Sequence, residues 1–462
     1  MDLSYTIAAA IVAYFVAFYA IARTYSSGFS GSKSGWLLAN RTAGLAESSL
    51  SAGASWILGL ALFASAGFAY TKGWAGLAWF VVPQALSMVI FSWFGRKCNQ
   101  IIPKGFTLSA WMRDRYGKRV GLTYQLVLGL VNLGFIVLTF TALSKCLAFL
   151  GVSNIPALTG LVALGTLAYA LHGGMKTNLV SGSVQMVLML LFCAALLFTA
   201  FSNGGGTALL SGLQGKAQIA SLFDPTLVWT FGLAMFLTSI TGIVGNQSYY
   251  QKSFSQQLSQ HSGTSFLIGA LLFAIVPVTL GMLGLMSLGS NTAVADPSTS
   301  HLAYMQSIGG TVLVYAFAFV VLNCASSALD SYSNAFGSIV AHDLNIADSK
   351  AVLASRVGMV AIAAAGWLLS TFNIDLTYIF LTYAVLRVTL FVITLLAVTT
   401  SRLNANGIFY SVLLISPVAF ALNVYGTVNK IPEANTSAAL IGFVVTPALA
   451  LLFSKLSARS SQ

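Results

Sequence analysis

Charge is what this sequence lacks most: of 462 residues only 10 are acidic and 22 basic, 7% together. A water-soluble domain covers its surface with about 25% charged residues, so a soluble enzyme or a nucleic-acid binder is excluded. The net charge of +12 is therefore read as a topology signal rather than as the mark of a polyanion partner. Cysteine is also scarce. Cys98, Cys146, Cys193 and Cys324 lie in or beside apolar runs with no paired spacing, which predicts free buried thiols and no metal centre. The four histidines, His172, His261, His301 and His342, are scattered near run ends with no nucleophile at hand. No enzyme chemistry is expected from them.

What is present in excess is apolar surface, 57% of the residues. Runs of about 20 such residues, the length that crosses a bilayer as a helix, number about thirteen, among them roughly 48 to 70, 73 to 94 and 228 to 249. The fold class is thus an all-α integral membrane protein in contact with lipid throughout. Asp2 stands where a secretory signal would carry positive charge, so the first run is read as a retained helix. Placing the N-terminus outside puts 17 of the 22 basic residues on the inner side, Lys252 among them. Seven of those lie between Gly95 and Val120, whereas Lys72, Lys145, Lys216 and Lys430 fall outside and Arg387 lies within a run. The positive-inside rule then predicts the cell (inner) membrane, N-terminus out and C-terminus cytoplasmic.

Two runs are interrupted by small polar residues. One reads Ser48-Ser49-Leu50-Ser51-Ala52-Gly53-Ala54-Ser55; the other carries Thr238-Ser239-Ile240-Thr241-Gly242 and, beyond it, Gly245-Asn246-Gln247-Ser248. They stand five runs apart, the pattern of a 5+5 inverted repeat whose unwound backbone lines a midplane site. Either segment alone would be read as close helix packing. A third polar feature is a stripe: Ser327, Asp330, Ser331, Asn334 and Ser338 share one face at helical spacing. A carboxylate facing lipid is costly, so this face is expected to meet protein or water. Asp330 either binds an ion or pairs with Arg387.

Four patches then carry a family resemblance. Leu38-Ala39-Asn40-Arg41-Thr42-Ala43-Gly44 leads into Leu50-Ser51-Ala52-Gly53-Ala54-Ser55, and Thr107-Leu108-Ser109-Ala110-Trp111-Met112-Arg113-Asp114-Arg115-Tyr116-Gly117 follows. Gly173-Gly174-Met175-Lys176 precedes Val184-Gln185, and Ser327-Ala328-Leu329-Asp330-Ser331 precedes His342-Asp343-Leu344. In that order they resemble the sodium/solute symporter family, nearest in pattern to its urea branch through Asn246-Gln247-Ser248-Tyr249-Tyr250-Gln251-Lys252 and Leu376-Thr377-Tyr378-Ile379-Phe380.

The resemblance implies a LeuT-like core. Residues 1–45 would form an extra helix and loop, 46–401 the ten-helix core, and 402–462 two C-terminal helices. It implies a sodium ion between Ala54 and Ile57 on one side and Cys324 and Ser327 on the other, with Asp330 and Ser331 near it. Ala328 stands where the family usually has a second hydroxyl, and Gly182 where some relatives have an aspartate for a second sodium. One coupling ion, sodium or a proton in its place, is expected. Substrate residues are expected at Ser55, Trp56, Thr238, Thr241, Gly242 and Arg387, with Arg387 either gripping a substrate carboxylate or neutralising Asp330.

The expected function is a sodium-driven symporter importing a small polar solute such as urea or an amino acid by alternating access, working as a monomer. A proton-coupled symporter of the same fold, a membrane sensor and a passive channel remain the alternatives. For the sensor, the chain ends at Gln462, so a kinase would have to be a separate protein.

Overall fold

The computed structural model describes residues 3–215, 221–372 and 376–460, and the described residues contain eleven helices long and apolar enough to cross a membrane. A helix that is apolar on every side must sit in lipid or in a protein core, and helices satisfy their own backbone where no water can. The runs at 48 to 70 and 73 to 94 are two spans that meet at the non-helical Gly73, φ 63° and ψ −160°, and the first of them is itself interrupted. Leu45–Trp56 stops at a break over Ile57 and Leu58, both in non-helical conformations, and Gly59–Ile101 continues for 43 residues with a kink at Gly73. The run at 228 to 249 is likewise divided. Helix Leu233–Ile240 ends, Thr241 to Asn246 pass through turns rather than continuous helix, and Gln247–Phe254 begins under an Asn246 cap. Lys216, expected on the outer side, lies outside the described residues.

The repeat is visible in backbone geometry. Short helix Leu108–Tyr116 meets Gly117 at φ 91° and then the 32-residue helix Lys118–Phe149. Later in the chain, helix Ser300–Asp343 is bent at Gly310, φ 60°, into a short and a long arm. Both joints need the positive φ that glycine adopts freely.

The two broken helices run antiparallel, side by side. Ala43 bridges Gln256, Lys252 reaches Ser51, the Tyr249 hydroxyl reaches the Ala52 carbonyl, and Gly242 lies against the Trp56 ring. One number climbs as the other falls, so the two breaks face each other across a narrow gap. At Gly242 even a methyl would meet the Trp56 ring at 2.4 Å. All four cysteines are buried and free.

Candidate ion and substrate site

The site is built where helix Ser300–Asp343 crosses the two breaks. Along its face the Cys324 thiol donates to the Ile57 carbonyl at 2.7 Å, the Ser331 and Ser55 hydroxyls meet at 2.8 Å, and the Tyr332 hydroxyl donates to the Ser55 carbonyl at 2.9 Å. Ser327 lies between these contacts at helical spacing, three residues after Cys324 and four before Ser331, so it shares the face turned toward the break. Its hydroxyl is buried and has no hydrogen-bond partner. Buried hydroxyls are nearly always bonded, so this one keeps its capacity to donate and accept unused. Cys324 thus meets the first break through its side chain. Ser326 points elsewhere, to Tyr14 at 2.8 Å and Gln185 at 2.9 Å, so Ser327 and not its neighbour faces the break.

The rest of the stripe is buried against protein. Asp330 accepts from Ser181 at 2.9 Å, Ser331 accepts from Asn178 at 2.8 Å, Asn334 lies 3.5 Å from the Gln251 amide and Ser338 lies 3.4 Å from that of Gln247. The second oxygen of Asp330 has no partner.

Arg387 is not the partner of Asp330, which corrects one of the two expectations for that pair. Among the described residues the ion pairs are Lys33–Asp348, Arg113–Asp114, Lys145–Asp296 and Lys176–Glu47. The cation acting on Asp330 is Lys252, expected in an inner loop but buried in the second broken helix, where it donates to Ser51 at 2.6 Å and to Asn178 at 2.5 Å. Hydropathy misplaced it because Gln247 to Phe254 is polar in composition, and the core it packs into is polar too.

Arg387 lies instead at the second break. It is buried, donates through Nη2 to the Thr238 carbonyl at 3.1 Å, and packs its guanidinium 4.9 Å from the Tyr383 ring centre and 5.2 Å from that of Phe135. Its Nε and Nη1 have no partner, and the Tyr383 hydroxyl has none either. The other expected substrate residues come together here with their donors committed. Thr238 bonds the Ala234 carbonyl, Thr241 that of Thr238, Ser55 that of Ser51, and the Trp56 indole that of Gln84. Tyr332 and Tyr383, which complete the wall, were absent from the sequence expectation because an aromatic in an apolar run carries no positional signal.

One end of these helices is sealed by hydrogen bonds between side chains and backbone. At the closed end the four sequence patches meet: Met175 clusters with Ala39 and Ala43, Arg41 donates to the Phe254 and Gly105 carbonyls at 3.0 and 2.9 Å, and Asp343 accepts from Thr107 at 2.5 Å and from Ser109. Gln247 locks the same loop, accepting from the Leu108 N–H at 3.1 Å and donating to the Phe106 carbonyl at 3.1 Å. At the opposite end a cavity of about 640 Å³ opens beside Thr141, Ser144, Lys145 and Ser370. The Lys145–Asp296 pair, 2.7 Å, borders it. Burial pushes the Asp296 carboxyl up, but hydrogen bonds from Lys145 and Ser298 outweigh this and hold it below its ordinary value. The pair thus persists as pH falls, until Asp296 protonates.

The fold is an all-helical membrane architecture of the LeuT-like class, and comparison with known proteins agrees. The fold matches a sodium-coupled sialic acid symporter over 99% of this chain and 98% of that one, with a TM-score of 0.76 at 16% identity. A nucleobase-cation-symport-1 family transporter and the manganese transporter of Eremococcus coleocola match at TM-scores of 0.55 and 0.57, with 15% and 12% identity, over 91% and 90% of this chain and 94% and 95% of theirs. No family model matches the sequence.

Among curated relatives, a spermidine transporter of Candida albicans is 22% identical over 286 residues, 59% of this chain and 52% of that one. A urea-proton symporter of Oryza sativa subsp. japonica is 22% identical over 315 residues, 59% of this chain and 43% of that one. The chain spans about half the length of the curated relatives it matches. All these relatives and neighbours are transporters, not enzymes.

Proposed function

We propose that the chain is a secondary active symporter of the sodium/solute symporter family, importing a small polar solute that presents an acceptor oxygen, in the manner of urea. The observation that carries the ion half is the unpartnered, buried Ser327 hydroxyl facing the break at Ile57. A hard cation takes several oxygen ligands, and Ala54, Ile57, Cys324 and Ser327 are the sodium ligands in this reading, with Asp330 and Ser331 one turn further along. The solute half rests on Arg387, whose free N–H groups suit a carbonyl or carboxylate and repel a polycation, which favours urea over spermidine. A proton in place of sodium is the second reading, favoured by the name of the rice relative and by the buried Lys252 and Asp330.

Radiolabelled urea uptake into proteoliposomes, driven by a sodium or by a proton gradient, separates the two. Under the sodium reading Ser327→Ala raises the sodium concentration for half-maximal uptake several-fold at near-normal expression, and Ala328→Ser lowers it. Unchanged sodium dependence in Ser327→Ala defeats the ligand assignment.

The closed end bearing Arg113 and Arg115 faces the cytoplasm in this reading, with the chain in the inner membrane and its N-terminus outside. Its support is the excess of basic residues on that side. In intact cells Arg115→Cys is expected to resist an impermeant thiol reagent that labels Asn203→Cys. Labelling of the first and not the second reverses the orientation.

A further inference from the structure

We infer that Lys252 is a built-in cation: its ammonium fills a site lined by the oxygens of Ser51 and Asn178, with Asp330 beyond ion-pair distance supplying negative charge, that, once vacated, binds a free monovalent cation or a small primary ammonium ion. Three elements build the site around a side chain carried by a fourth. Ser51 comes from the first broken helix, Asn178 and Ser181 from helix Met175–Ser202, and Asp330 from helix Ser300–Asp343.

The acceptors are fixed in place. The Ser51 hydroxyl lies 3.2 Å from the Asn178 carbonyl, to which it donates, and this leaves its lone pairs for the ammonium. The Asn178 amide nitrogen is held by Ser331 at 2.8 Å, which turns its oxygen toward Lys252. The ammonium thus donates to two oxygens, at 2.6 and 2.5 Å, both charge-assisted bonds.

The surrounding charges favour a cation. Two acids act on Lys252, Asp330 and Glu47. Glu47 is already paired with Lys176 at 2.6 Å, whereas Asp330 has one oxygen with no partner. The tyrosines that face Asp330 from other helices, Tyr14 and Tyr169, are neutral and engaged with Ser326. At position 182 a methyl group would come within 2.8 Å of the Ser51 hydroxyl, so helix Met175–Ser202 has no room there for a further acid. Packing alone needs no charge here, since an apolar side chain of that length fills such a space at least as well. The charge rides on a half-helix that ends at a break, so it moves with that half-helix and supplies a positive charge that would otherwise need a second ion from solution. Only this last consequence rests on the symporter reading.

The test is chemical rescue in detergent, with no transported solute present. Lys252→Ala removes three methylenes and the ammonium, the atoms of propylammonium. Its unfolding midpoint is expected to fall by several degrees and to recover saturably with propylammonium chloride, as mass action requires for a ligand of the folded state. Neither 1-propanol nor tetramethylammonium should restore it at matched ionic strength, and the wild type should not respond. Equal propylammonium shifts in wild type and variant, or full rescue by 1-propanol, overturn the inference.

Asn178→Asp, which keeps Lys252, supplies a second arm if Lys252→Ala does not fold. A charged ammonium is stabilised by the new carboxylate and the midpoint rises. A fall in the midpoint overturns the inference. Rescue in detergent with no urea uptake by the wild type leaves the built-in cation standing and defeats only the transport reading.

Discussion

Asp330→Asn is expected to abolish gradient-driven accumulation and to lower stability at the same time. The wild-type carboxylate is buried, held by Ser181, and is the acid facing the Lys252 ammonium that has no ion-pair partner of its own. Removing its charge leaves a buried cation without compensation, a change of up to about 3–5 kcal/mol in closely paired cases. Restoring neutrality should therefore depend on which cation is removed. Asp330→Asn with Lys252→Met is expected to regain most of the thermal stability without regaining coupled uptake. Asp330→Asn with Arg387→Gln is expected to regain neither, because Arg387 bonds Thr238 and not Asp330. Detergent melting curves and proteoliposome uptake on the four proteins read both effects. Concentrative uptake at the wild-type level by Asp330→Asn would remove Asp330 from the coupling scheme.

The second large effect is expected at Arg387. Two of its three guanidinium nitrogens are unsatisfied in a buried setting, and a bond to a charged donor contributes about 1.5–3 kcal/mol. Losing one to the solute corresponds to roughly a tenfold to hundredfold fall in uptake at limiting solute. Arg387→Lys should be as damaging as Arg387→Gln, because an ammonium cannot reproduce the planar fork. A purely structural role, tying down the Thr238 carbonyl, predicts the opposite: lysine would keep that single bond and most of the activity. Comparing the solute concentration for half-maximal uptake with the maximal rate in the two variants separates these cases.

The architecture was largely legible because it follows from composition and spacing. Apolar runs gave the helices, and the small residues around Thr241 marked the second break, whereas those from Ser48 to Ser55 are helical and the first break falls just beyond them at Ile57 and Leu58. The arc from Ser327 to Ser338 lies buried on one face as helical spacing predicted. The charge network was not legible. Lys252 and Arg387 are both basic residues near runs of aromatics, and hydropathy sorts them by whether the surrounding window is polar, not by what packs on them. The window around Lys252 is polar because Gln247, Gln251 and Asn246 face a polar interior. Assigning Arg387 to Asp330 followed the rule that buried charges pair, but that rule says nothing of which cation lies within reach. The use of the Cys324 thiol could not be foreseen either, since sequence places the residue beside Ile57 without saying which of its atoms arrives there.

The bridge between Ala43 and the end of the second broken helix has a mechanical consequence. The Ala43 N–H donates to Ser255 and the Gln257 N–H donates to Ala43, at 3.0 and 3.1 Å. These two backbone bonds clasp the entry of one discontinuous helix to the exit of the other at the sealed end, whereas at their far ends the two meet through side chains, Phe68 against Phe231 at 4.7 Å and Lys72 over the same ring. A pair of rods pinned by backbone bonds at one end and touching only through side chains at the other is a lever. Its far ends can part or close by angle alone, and a small rotation at the clasp becomes a larger displacement beside the cavity.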